Sequence, residues 1–174
     1  MQQREEASIW SCHIVQVCII PAFPLRCNHS RRTYDGRRSH GQRIMKIFRG
    51  SDTASRPADT NSFVGPARTK LLASDSEGAA VHVYRVEFES GSRTNWHIHS
   101  GPQWLLIVEG AIRVQRWDEP PQDVEAGDAV VIPPGEKHWH GAVPGARGVH
   151  LALNVNVTTE WLEPVSDEQY RGED

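Results

Sequence analysis

Two short stretches of the chain place imidazoles two residues apart. "WHIHSGPQ" carries His97 and His99, with Gln103 four residues further on, and "GEKHWHGA" carries His138 and His140. In an extended strand, residues two apart point to the same side. Each pair therefore offers two nitrogen donors on one face and sends Ile98 or Trp139 to the other. Imidazole nitrogen is a common ligand of divalent transition ions, so an HxH pair makes half of a four-coordinate site. Gly101-Pro102 bends the chain after His99, which brings the side-chain oxygen of Gln103 close enough for the same ion. One histidine in a strand reads as a core or surface residue, but two such pairs, each beside a glycine or proline turn, read as a metal site.

The elements that must position these groups are strands. From about residue 58 the chain runs in short segments rich in Val, Ile, Leu and aromatics, punctuated by Gly and Pro, the pattern of an all-β sandwich or barrel. "VHVYRVEFESG" alternates, with His82, Tyr84, Val86 and Phe88 on one face and Arg85, Glu87 and Glu89 on the other. "QWLLIVEGAIRVQRW" reads as two strands joined at Glu109-Gly110, and "DAVVIPPG" as a strand stopped by prolines. "GVHLALNVNV" reads as a last long strand with His150, Ala152 and Asn154 on one face. In a closed antiparallel barrel the strands bearing the two HxH pairs can be neighbours. A short helix is expected in "SDEQY", where Ser166 as N-cap and Gln169 three residues on form a capping box. Trp104, Trp117 and Trp161 read as packing residues, whereas Trp96 and Trp139, each next to a ligand candidate, either wall a cavity or pack outside it.

These residues carry a family resemblance. "GSRTNWHIHSGPQWLLIVEG" resembles the first conserved motif of the cupins, with Gly91, His97, His99 and Gly110 in place and Gln103 at the glutamate position. "GDAVVIPPGEKH" is similar to the second motif through Gly127, Pro133, Gly135 and His138, with Ala142 where an asparagine is usual. The resemblance implies an all-β, single-domain cupin β-barrel, a double-stranded β-helix of jelly-roll type, with a short C-terminal helix and commonly a homodimeric or higher assembly. Over residues 57 to 171 the chain looks like the small single-domain cupins that include manganese-dependent hydroxynitrile lyases. That likeness implies one divalent ion, manganese foremost with iron, zinc or nickel as alternatives, held by His97, His99, Gln103 and His138. It also places His140 and His150 in the pocket as catalytic candidates. Tyr84, Val86 and Asn154 are expected to line the substrate pocket. Tyr84 stands where a smaller residue is expected and Asn154 where a glutamine is expected, which bears on the substrate rather than on the metal. His82 reads as structural or as part of the rim.

Three neutral imidazoles and a neutral amide leave the full charge of a dication uncompensated, whereas a glutamate would cancel one unit. Such a site favours anionic oxygen and metal-assisted acid/base chemistry over redox cycling. His140, with an ordinary pKa near neutrality, is then available as a base or proton shuttle. The expected function is a Lewis-acid cupin enzyme acting on a small hydroxyl- or carbonyl-bearing substrate. The rivals are an iron- or manganese-dependent dioxygenase and a non-catalytic cupin that binds a small ligand.

The chain's 174 residues suit one ordinary domain. With a net charge of −3, no overall field argues for nucleic acid or a membrane surface, and a small-molecule or protein partner is expected. The charge is uneven: residues 1–44 carry seven Lys/Arg against three Asp/Glu, and the remainder twelve against nineteen. Cys12, Cys18 and Cys27 all lie in the first part, so the rest needs no oxidising compartment, in keeping with a cytoplasmic location. "IWSCHIVQVCIIPAFPL" makes a poor targeting segment, because two glutamates precede it and a histidine interrupts it. Residues 1–44 are expected to be an unstructured or non-native extension, and residues 45–174 the cupin domain.

Overall fold

The computed structural model describes residues 45–76 and 79–173. The extension expected over residues 1–44, with its apolar run and its cysteines, lies outside the described residues. Short strands come first: β1 (Arg56–Pro57), β2 (Phe63–Val64), β3 (Ala67–Asp75), β4 (Val81–Phe88), β5 (Arg93–Thr94) and β6 (His97–His99). The long β7 (Gln103–Arg116) follows, then β8 (Gln122–Glu125), β9 (Ala129–Ile132), β10 (His138–Ala142), β11 (Gly148–Val155), β12 (Thr159–Trp161) and the helix α1 (Asp167–Arg171).

The strands pair antiparallel in two curved layers that share β7. Its first half, from Gln103 to Gly110, pairs with β11 and β9, and β11 leads on to β4, β3 and β1. Its second half, from Ala111, pairs with β8 and β10, and β10 leads on to β5, β6, β2 and β12. The segment expected as two strands joined at Glu109-Gly110 is thus one strand of 14 residues. Gly110 explains the difference: its φ of 64° bends the strand from one layer into the other without ending it. A side chain at that position would collide with the carbonyl oxygen of Arg147.

Alternation along the strands divides the interior. Phe88, Leu105, Ile112 and Ala142 pack between the two layers. A second cluster, Trp96, Trp139, Val165 and Tyr170, sits on the other side of the HxH strands, under the C-terminal segment. Trp96 and Trp139 therefore pack outside the cavity, 1% and 0% exposed. The helix forms as its sequence indicates, with the Ser166 side chain accepting from the backbone N–H of Gln169 and the Gln169 side chain accepting from that of Ser166. The Tyr170 hydroxyl donates to the carbonyl of Ala142 at 2.7 Å and fastens α1 to β10. Among the described residues no helix is long and apolar enough to cross a membrane.

Candidate metal centre

The two HxH pairs lie side by side because β6 and β10 are antiparallel neighbours with His138 opposite His97. Their rings sit 4.1 Å apart, centroid to centroid. His97, His138 and His140 each offer a ring nitrogen, and the three nitrogens lie within 4.8 Å of one another. His99 faces the same space, its ring 5.0 Å from that of His97 and 5.4 Å from that of His138. The tightest nitrogen cluster thus contains His140, where the family likeness placed His99 among the ligands and His140 beside them.

Hydrogen bonds at the far side of each ring decide which nitrogen is bare. His97 Nδ1 lies 2.9 Å from the carbonyl oxygen of Asn95, and His138 Nδ1 lies 2.8 Å from that of Glu136. A carbonyl can only accept, so both rings carry their proton on Nδ1 and present an unprotonated Nε2 to the interior. His99 Nδ1 meets the Thr159 hydroxyl at 2.9 Å, and its buried Nε2 has no hydrogen-bond partner among the described residues. Outer partners of this kind fix imidazole orientation and tautomer in metal sites.

Gln103, at the start of β7, completes the arrangement. Its amide nitrogen donates to Asn154 Oδ1 at 3.0 Å, and its Oε1 lies 3.4 Å from His138 Nε2. Since that nitrogen is unprotonated, two acceptors face each other in a buried setting. This is unfavourable alone and favourable around a cation.

Burial also keeps the rings uncharged. It lowers His99 and His138 to about 4, partly opposed by Gln103 in the one case and by the Glu136 carbonyl in the other, and lowers His150 to about 3. His97 and His140 fall well below the usual range, from burial first and then from repulsion by neighbouring imidazoles. Neutral imidazoles are the form that binds metal.

His140 and His150 form a different unit. His150 Nε2 and His140 Nδ1 are 3.1 Å apart, so one ring donates to the other. The remaining nitrogens, His140 Nε2 and His150 Nδ1, are buried without a hydrogen-bond partner among the described residues. Both rings border a cavity of about 300 Å³ that also meets His97, His99 and Gln103. Tyr84, Val86 and Asn154 line it as well. His82 stacks on Tyr84 with ring centroids 6.3 Å apart.

Several lining residues are not evident from the sequence. Trp161, expected as a packing residue, borders the cavity instead, with its ring 4.7 Å from that of His97. The reason is the pairing of β12 with β6, which sets Trp161 directly opposite His97 and Thr159 opposite His99. Phe63, on β2, also borders the cavity and reaches Trp161 at 6.0 Å between ring centroids. Trp104 and Trp117 lie 43% and 40% exposed, so neither is a core packing residue, although Trp117 meets Trp96 edge-on and lies beneath the ammonium of Lys137.

Residues 84–155 match the model of the cupin domain family. Over 130 residues, 73% of this chain and 99% of the relative, the sequence is 38% identical to an (R)-mandelonitrile lyase of Granulicella tundricola. A cupin-like protein from Thermotoga maritima of known crystal structure is 38% identical, with a TM-score of 0.64 over 66% of this chain and 90% of its own. A polyketide cyclase from Streptomyces resistomycificus, 20% identical, shares the fold with a TM-score of 0.57 over 73% of this chain and 91% of its own. With the HxH strands, the two motifs and the all-β barrel in agreement, the chain belongs to the cupin superfamily.

Proposed function

We propose that this chain is a metal-dependent cupin enzyme of hydroxynitrile lyase type, acting on a small hydroxyl- or carbonyl-bearing substrate. The observation that carries the reading is the opposition of two bare acceptors, His138 Nε2 and Gln103 Oε1, 3.4 Å apart beside further unprotonated imidazole nitrogens. His97, His99, His138 and Gln103 are the proposed ligands, because the Nδ1 of His97 and of His138 is occupied by a backbone carbonyl, that of His99 by the Thr159 hydroxyl, and the amide presents its oxygen. A divalent ion bound there supplies Lewis-acid polarisation of a substrate oxygen, undiminished by any ligand charge.

His140 acts as the base, kept uncharged and able to accept a proton by burial that lowers its pKa, where its residue type alone suggests a value near neutrality. With its Nδ1–H donating to His150 Nε2, its Nε2 lone pair is left bare at the cavity. It takes the hydroxyl proton of a cyanohydrin while the O–H electrons form the carbonyl and the bond to the nitrile carbon breaks. Cyanide leaves with the electron pair of the broken carbon–carbon bond. His150 then shares the positive charge gained by His140, as an orienting partner does for a general base. Phe63, Tyr84, Val86, Ala152 and Trp161 give the cavity an apolar, largely aromatic wall that excludes water from the proton transfer and receives the organic group of the substrate. The activity named for the Granulicella relative supports the same class of substrate.

The test combines elemental analysis with release of benzaldehyde from mandelonitrile. The expected result is a bound divalent ion, and activity that is lost on chelation and restored by the ion. Metal-loaded protein that leaves mandelonitrile intact and consumes oxygen with a catechol would make the chain a dioxygenase instead.

A further inference from the structure

An amide ligand raises a question that a carboxylate does not. Its two ends differ: the oxygen can bind a cation, whereas the NH2 group has no lone pair to offer and presents positive hydrogens. Something must hold Gln103 with its oxygen inward.

Gln103 and Asn154 are opposite each other across β7 and β11. The Gln103 amide nitrogen donates to Asn154 Oδ1 at 3.0 Å, and this bond leaves Oε1 as the atom facing His138 Nε2 at 3.4 Å. The local alternative would be an amide turned over, with its NH2 donating to the bare His138 nitrogen and its oxygen facing Asn154 Oδ1. That arrangement satisfies His138 but sets two oxygens against each other at Asn154 as long as Asn154 keeps its own oxygen toward Gln103. In the orientation observed, the Asn154 oxygen on β11 therefore opposes the amide orientation that would close the site to a cation.

We infer that Asn154 is a positioning residue of the metal centre, whose side-chain oxygen holds the Gln103 amide so that its oxygen faces the imidazoles. The inference rests on the proposed ligand set. It gives Asn154 a role distinct from shaping the pocket, since it acts through Gln103 and not on the substrate.

Manganese affinity of the full chain, followed by the electron paramagnetic resonance signal of free Mn2+, tests this without reference to turnover. Asn154→Leu, similar in size but unable to accept, is expected to weaken Mn2+ binding by about ten-fold or more, the usual cost of losing an outer partner. Asn154→Asp, which keeps the acceptor, is expected to retain or exceed the affinity of the unaltered chain. In a Gln103→Leu background, adding Asn154→Leu is expected to cost nothing further, because the group it positions is gone. Unchanged affinity in Asn154→Leu, or an equal loss with and without Gln103, overturns the inference while the ligand set stands. An unaltered chain that binds no Mn2+, or a Gln103→Leu variant that binds as tightly as the unaltered chain, overturns the ligand reading itself and the inference with it.

Discussion

His97 and His138 each give a ring nitrogen to a backbone carbonyl, whereas His140 and His150 give theirs to each other. Two adjoining histidine pairs are thus built on different principles. A carbonyl cannot donate, so the proton of a ring bound to it stays on Nδ1 and the other nitrogen is permanently a donor of electrons, as a metal ligand must be. In a pair of imidazoles either ring can carry the shared proton, so its position can change, as proton transfer requires. Burial acts alike on both pairs, lowering every one of these pKa values. What separates them is the chemistry of the partner.

The largest effect that sharpens this division is expected from His138→Ala. It removes the ring shared by the HxH pairing and the Gln103 contact, and is expected to lower metal affinity by more than about 100-fold, beyond the loss typical of an outer partner. Metal content after gel filtration would show it. His140→Ala is expected to keep the metal and lower kcat by about 10²- to 10⁴-fold, the range associated with a general base. Loss of the metal in that variant would break the division, because His140 would then belong with the ligands, as the tight cluster of His97, His138 and His140 allows. Gln103→Glu is expected to retain metal and slow cyanohydrin cleavage by about ten-fold, or about 1.4 kcal/mol, by neutralising one unit of the ion's charge. A rate equal to or above that of the unaltered chain would mean that the neutral amide confers no electrostatic advantage.

A further expected effect, on the fold and not on turnover, is a slope of stability with pH. The folded values of His99 and His138, about 4, lie below the ordinary 6.5. Between those values the unfolded chain binds more protons than the folded one, so stability rises with pH. The metal-free fold is expected to have the full contribution of these rings above about pH 6.5 and to lose it as pH falls toward 4. Denaturant midpoints measured across that window would check the sign.

Much of the histidine cluster was legible because a strand repeats every two residues. That period places His97 with His99, His138 with His140, and Tyr84 with Val86, and it sends Trp96 and Trp139 to the opposite face. The C-terminal helix was legible through Ser166 and Gln169, whose capping bonds are local. Gly110 was not, because the same residue type can end a strand or bend it, and the close approach of the Arg147 carbonyl, which leaves no room for a side chain there, is a tertiary contact. Trp161 and Phe63 escaped because β12 and β2 have only three and two residues, too few to show alternation. Their place in the cavity follows from pairing with β6 and β5, which is tertiary information. The carbonyls of Asn95 and Glu136 stand two residues before His97 and His138, a shared local feature that sequence alone offers no means to recognise as a hydrogen bond.

The most direct test of the account is a crystal of the manganese-loaded protein with data collected at the manganese edge. The predicted result is one anomalous peak within bonding distance of the Nε2 atoms of His97, His99 and His138 and of Oε1 of Gln103, with His140 beside the ion but not bound to it. No peak in the cavity, or a peak held by His97, His138 and His140 with His99 and Gln103 turned away, would contradict it.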